Sequence, residues 1–412
     1  MNLATGILLG VGAAAAGFVA VEFAVRAWLR ARGRAYVWAP FTHLRMVLDR
    51  ETLPDLDPVA EHRINEEGER GDPLPRDRSS LYRVLVVGGS AAECWFLDQA
   101  SSWPHVVQET LARPENLRAL QVEHVHVGNI ARSLVTARHV DAILERVLPR
   151  YDHLDAIVFM VGASDIITWL ESGTPPRVDE KPITSSMLFA QHPDAPFGWT
   201  PKTLAMRRIA SYWRHRVARP VEVREQAGKR LGEARRMRQR AQEIVREMPD
   251  PKPMIAGFET WFARLLARAK AKAPLVMVVR QPWLEKDLTA DEQKRMWSFA
   301  TGRPYAGEVK RYYAHEVGWK LHRLVDARVE QMAREAGVEQ VDLMKVVPGD
   351  MVHYYDDHHH TPTGNRLIGR VVAQALIDSV VRSRGTRAST GDATSNDDAS
   401  HPNVESPTAA RR

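Results

Sequence analysis

The sequence predicts a three-layer α/β/α domain built on a parallel sheet, and three observations carry that prediction. Apolar, β-branched runs alternate with helical stretches, the runs are apolar on both faces, and the residues able to do chemistry fall at run ends or in late loops. A strand that is hydrophobic at every position must be covered on both sides, as in βαβ units.

The elements follow in order. YRVLVVGGS (residues 82–90) is a first strand ending in a Gly-Gly turn, and helical spacing follows at 103–111. EHVHVGN (123–129) is a second strand with a helix at 137–148, and DAIVFMVG (155–162) is a third strand. Further on come a helix at 258–272, the strand APLVMVVRQ (273–281), a long helix at 307–336, the short strand VEQVDL (338–343) and a last helix at 363–381. Five parallel strands at this spacing imply a doubly wound, flavodoxin-like sheet, whose sites form at the carboxyl ends of the strands. The domain so defined covers 81–383.

Four segments lie outside this alternation. Residues 1–30 form an N-terminal transmembrane helix: LATGILLGVGAAAAGFVAV (3–21) carries no charge and comes near the roughly 20 residues that span a bilayer. A buried core helix would show a polar face, and a cleaved signal peptide a basic leading region. This segment has neither, and Arg26, Arg30, Arg32 and Arg34 follow it. Residues 31–80 read as an irregular approach segment. Residues 174–253 form a helical insertion, Pro-rich at first and then basic, whose second part reads as one solvated helix. The tail, 384–412, lacks apolar periodicity and is expected to be disordered.

Composition excludes several classes. With 44% hydrophobic and 26% charged residues the 412-residue chain has material for a sizeable core. Its net charge of +6 is spread along the chain, denser only near 229–246, and no nucleic-acid-binding motif is present, so no nucleic-acid partner is expected. The single Cys94 rules out an internal disulfide framework and a Cys-based zinc cluster. No GxxxxGK[ST] or GxGxxG run accompanies the Gly-Gly turn, which argues against nucleotide binding there.

Two blocks carry chemistry. In GGSAAEC (88–94), Ser90 follows Gly-Gly at a strand end, where a hydroxyl opens a helix facing the ligand edge of the sheet; most such serines are helix caps or turn residues. In YYDDHHHTPTGNRLIG (354–369), Asp356 precedes His359 by three residues on one loop. A serine nucleophile needs a base to take its proton, and the base needs a partner that fixes its tautomer and stabilises the imidazolium. The three adjacent histidines also admit a metal tract or a plain turn; neighbouring side chains diverge and no distant ligand cluster is evident, so no metal is expected.

The chain resembles the SGNH/GDSL hydrolases, in the branch whose first block reads GGS followed by small residues and Glu-Cys. The resemblance covers about 82–375, broken by the insertion, and includes the Trp103-Pro104 pair and the RQPW stretch at 280–283. It implies the SGNH hydrolase fold, a catalytic triad of Ser90, Asp356 and His359, no cofactor, and hydrolysis of ester bonds in acylated carbohydrates, lipids or small esters. An acyltransferase, or a non-catalytic envelope component binding a partner or anionic lipid through its basic arm, is the alternative. The resemblance also implies a bacterial inner-membrane protein with its domain on the periplasmic side, although the positive-inside rule points to the cytoplasm. Oligomeric state is not legible.

Two positions depart from the family pattern. Where the third block has Asn as an oxyanion donor, GASD places Ser164. Where the second block ends in Gly, NIARSL places Leu134, which keeps a backbone N–H but disfavours a positive φ. An alternative register gives that role to Gly128. The expected oxyanion hole is the Ser90 N–H, Ser164 and Leu134.

Overall fold

The computed structural model describes residues 3–176, 182–194 and 196–393, with side chains to residue 384. Its strands are β1 (His43–Leu48), β2 (Val59–Arg63), β3 (Leu81–Gly88), β4 (His124–Asn129), β5 (Ala156–Met160), β6 (Val221–Ala227), β7 (Glu243–Val245), β8 (Leu275–Arg280), β9 (Arg311–Tyr313) and β10 (Glu339–Asp342).

The five strands expected from apolar composition form one parallel sheet, in the order β10-β8-β5-β3-β4. Ranked along the chain this is 5-4-3-1-2, the flavodoxin-like order, with its switch point between β3 and β5. Every residue of β5 is buried, as a central strand covered on both faces requires. On one face pack the helices Ala137–Val147, Ala163–Glu171, Lys252–Lys270 and His315–Glu335, through residues such as Ile143, Ile166, Phe262 and Leu321. On the other face pack Trp103–Leu111 and the terminal helix, through Trp103, Leu111, Ile368 and Leu376. The long apolar helix Leu3–Arg32 is mostly exposed, and its best window has a mean hydropathy of 2.0, sufficient in length and composition to cross a membrane.

Four expectations need correction. Residues 31–80 are not irregular throughout: β1 and β2 pair antiparallel, and β6 adds to β1 in parallel to make a second, three-stranded sheet. Their alternating burial was masked in the sequence by surrounding Pro, Asp and Glu. The second part of the insertion is not one solvated helix. It divides into the exposed strand β6, the helix Lys229–Gln239 and β7. Gly228, at φ +99°, separates β6 from that helix. Within the helix, Arg235 is buried, donating to the carbonyls of Thr52 and Tyr355, and Arg238 donates to those of Ser298 and Tyr313. Two of the charges read as solvated therefore clamp loops together. The long helix starts at His315 rather than 307, and the last helix runs to Ala393, past the expected stop near 381. The remainder of the expected disordered tail, 394–412, lies outside the described residues.

The C-terminal third of the first helix is built into the domain. Glu22, fully buried, accepts hydrogen bonds from the Ala205 and Met206 N–H groups at 2.7 and 3.0 Å, and so caps the helix Ala205–Ala218. Arg26 pairs with Glu22 at 2.7 Å and lies 4.5 Å over the Trp199 ring.

Candidate active site

Ser90 begins the short helix Ser90–Glu93 directly after β3. The Gly-Gly that precedes it is required by close approach. A Cβ on Gly88 would stand 2.2 Å from the Met160 carbonyl, and one on Gly89 would crowd Ser164 Oγ at 3.0 Å. The turn thereby brings the Ser90 and Ser164 segments together at the switch point.

The Tyr354–His360 bridge pins the late loop, and Asn365 ties it to the first block. Asn365 Oδ1 accepts from the Trp103 N–H at 3.2 Å and from Cys94 Sγ at 3.2 Å, while Trp103 Nε1 donates to the Ala91 carbonyl at 3.1 Å. Those contacts explain why Cys94, Trp103 and the residues after TPTG occur together: they fix the two blocks against one another.

Held this way, Ser90 Oγ lies 2.7 Å from His359 Nε2, and His359 Nδ1 lies 2.8 Å from Asp356 Oδ2. Asp356 is fully buried. Its Oδ1 accepts the backbone N–H groups of His358 and His359 at 3.1 and 2.9 Å, and its Oδ2 accepts Trp297 Nε1 at 2.9 Å. Burial pushes this carboxyl up, but the charge and hydrogen bonds of His359, with the His358 N–H, hold it well below the usual carboxylate range. The neighbouring histidines are differently placed. Burial pushes His358 down to about 3, aided by His359, and its ring lies 4.9 Å from that of Trp283 of the RQPW stretch. Burial likewise takes His360 down to about 3. Asp357 Oδ1 pairs with His315 at 3.0 Å, whose other ring nitrogen is 2.8 Å from the Leu284 carbonyl, so both His315 nitrogens are engaged, while Asp357 Oδ2 has no partner among the described residues.

Asp356, His358 and His359 offer ligand atoms within 4.8 Å of one another. Both oxygens of Asp356 and both ring nitrogens of His359 already take part in hydrogen bonds, so a cation there would have to break the Ser90–His359–Asp356 chain.

The sequence-selected donor positions converge on the same place. Ser90, Leu134 and Ser164 line one cavity of about 850 Å³, together with Trp297, Asp356 and His359. Among the described residues, the N–H groups of Ser90 and Leu134 donate to no protein acceptor. Leu134 adopts φ +63°, the left-handed backbone that a leucine disfavours. Gly128 is buried within β4 with the Glu69 carboxylate against its Cα face, which leaves the alternative register without access to the cavity.

No family model matches the chain, and no curated protein matches it. Solved structures do. A member of the lipolytic G-D-S-L family from Veillonella parvula is 9% identical, with a TM-score of 0.38 over 72% of this chain and 97% of that one. A carbohydrate acetylesterase family member from Sinorhizobium meliloti is 13% identical, with a TM-score of 0.37 over 73% and 99%. An acetylxylan esterase from Geobacillus stearothermophilus is 14% identical, with a TM-score of 0.35 over 73% and 94%.

Several residues of the site carried no sequence signal. Trp297, which holds Asp356, stands in a loop with no motif around it. Arg70 is buried and donates to the carbonyls of Glu93, Cys94 and Leu97 at 2.6, 3.0 and 2.7 Å, clamping the chain that leaves the Ser90 helix. The cavity wall from Arg224 to Leu231 belongs to the insertion. Only contacts across the fold reveal these three.

Proposed function

We propose that this protein is a serine esterase of the SGNH/GDSL type. The observation that carries the reading is the continuous Ser90–His359–Asp356 hydrogen-bonded chain, at 2.7 and 2.8 Å, opening into a substrate-sized cavity. His359 Nε2 takes the hydroxyl proton as Ser90 Oγ attacks the ester carbonyl. Asp356 holds the ring so that Nε2 is the free base, and stabilises the imidazolium that forms. The carbonyl oxygen, now an anion, is met by the N–H groups of Ser90 and Leu134 and by the Ser164 hydroxyl. His359 then gives its proton to the departing alcohol, leaving an acyl-enzyme. Water enters, gives a proton to His359 and releases the acid, restoring Ser90.

Ser164 is the weaker member of this arrangement, because a hydroxyl reaches less far than the amide it replaces. We read the first helix as an uncleaved anchor with the domain on the outer face of a bacterial inner membrane. Support for the anchor comes from Glu22 and Arg26, which make the residues following the apolar run part of the domain's own packing.

The test is turnover of p-nitrophenyl esters by the protein and by Ser90→Ala. Hydrolysis that disappears in the variant supports the reading; equal rates, or none with either protein, would sink it.

A further inference from the structure

The helix Ala205–Ala218 carries an apolar face that the domain does not cover. Met206, Ala210, Trp213 and Val217 recur at helical spacing and form one stripe along it. Trp213 is 51% and Val217 79% exposed. The side that rests on the domain is a different one, marked by the buried Ala205 and by Tyr212, whose ring meets Phe41 edge-on at 5.5 Å.

Arginines border the stripe. Arg207 and Arg214 follow one flank, and Arg216, on the other, lies 5.0 Å over the Trp213 ring; all three are exposed. No Asp or Glu occurs between residues 195 and 221, so the charge of this segment is wholly positive. In a lipid headgroup layer such a helix sets its apolar side chains at the acyl boundary and its arginines among anionic headgroups.

The place of the helix fits that layer. The charge-free residues 3–21 span about 28 Å as a helix, close to the roughly 30 Å of a hydrocarbon core. Glu22, the next residue, accepts the Ala205 and Met206 N–H groups, which puts the start of the second helix at the edge of the apolar run. At the same level the exposed Trp199 meets Phe23 edge-on at 5.7 Å, where interfacial aromatics collect.

We propose that the helix Ala205–Ala218 docks on an anionic lipid surface, with Met206, Trp213 and Val217 inserted and Arg207, Arg214 and Arg216 among the headgroups. This goes beyond the esterase reading and does not depend on it; it rests on the reading of the first helix as an anchor. Arg219 and Pro220 join the docked helix to β6, whose residues Arg224 to Ala227 line the cavity at Ser90, so that wall is tied to the lipid surface.

The full chain tests this with one label at a time. Cys94 is buried, so Val217→Cys takes a thiol-reactive fluorophore at one place, with the unsubstituted chain as the labelling control. Leu8→Cys, inside the apolar run, is labelled separately to report on the anchor. Each is reconstituted into vesicles of phosphatidylcholine, alone or mixed with phosphatidylglycerol, that carry a lipid-borne quencher. The expected result is quenching at residue 217 at least about threefold stronger in the mixed vesicles and reversed by concentrated salt, with quenching at residue 8 in both. The triple change Arg207→Glu, Arg214→Glu and Arg216→Glu, at an unchanged melting temperature, should abolish the difference at residue 217; the salt comparison needs no variant to fold. Equal quenching at residue 217 in the two compositions overturns the docking, and a quenched label at residue 8 then leaves the anchor standing. An unquenched label at residue 8 overturns the anchor reading and the docking with it. A label at residue 217 already shielded in detergent, in a particle of doubled protein mass, makes the stripe a face between two copies and overturns lipid docking.

Discussion

Glu93 and Ser133 join the two halves of the candidate site: the carboxylate of Glu93, three residues after Ser90, accepts both the backbone N–H and the hydroxyl of Ser133. The helix that carries the hydroxyl and the turn that carries the Leu134 N–H are thus one unit. Burial pushes the Glu93 carboxyl up, partly opposed by the Ser133 hydrogen bonds. Glu93→Ala leaves two half-buried donors of Ser133 unpaired, each at less than the about 1–3 kcal/mol of a fully buried donor. The expected outcome is a lower melting temperature together with a loss of ester turnover greater than that of Glu93→Gln, whose amide oxygen still accepts.

Asp356 and Trp297 are separable by degree. Asp356→Asn leaves His359 with the wrong tautomer and should lower kcat by about 10⁴. Trp297→Phe keeps the ring and deletes one hydrogen bond to a buried carboxylate, worth about 1.5–3 kcal/mol. Its effect should be roughly ten- to a hundredfold on kcat, with KM little changed. Steady-state kinetics on one ester checks both.

Ser164 tests the oxyanion assignment in both directions. Ser164→Ala removes a donor and should lower kcat, by less than the hundred- to thousandfold seen when a well-placed amide donor is lost. Ser164→Asn restores the longer-reaching amide and should match or exceed the natural rate. A rate unaffected by either change would remove Ser164 from the mechanism.

The buried histidines set an acid limit. His322 is pushed down to about 4 by burial, and its ring lies 4.6 Å from Trp283. Its folded value lies below the unfolded one, so between pH 6.5 and about 4 the unfolded chain binds a proton that the folded chain does not. Stability therefore falls as pH drops through that window. Replacing the ring with a neutral aromatic in His322→Phe should reduce this loss by about 1 kcal/mol per pH unit. Asp165 opposes the trend: burial raises it to about 7, so its contribution falls as pH rises from the usual carboxylate range toward 7. Denaturant melts at several pH values read out both slopes.

The central sheet was legible because a fully covered parallel strand needs apolar residues at every position, as in β5. The spacing and order of Ser90, Asp356 and His359 along the chain resemble a known pattern, and the fold brings the three side chains within hydrogen-bonding distance. β1, β2 and β6 were not legible, since β6 is exposed along its length and its pairing partner lies 178 residues away at Val221 from His43. Arg235 and Arg238 read as solvated charge for a related reason: their acceptors are backbone carbonyls, which leave no mark in a sequence. Trp297 and Arg70 likewise act through contacts between separate segments, 59 residues apart for Trp297 and 23 to 27 for Arg70.

The most direct test of the account is whether His359 makes Ser90 nucleophilic. The full chain in detergent is treated with a fluorophosphonate, and the modified peptide is located by mass spectrometry in the natural protein, in Ser90→Ala and in His359→Ala. The account predicts a single adduct on Ser90, absent from the first variant and strongly slowed in the second. A folded protein that remains unmodified, or that labels equally well without His359, would contradict it.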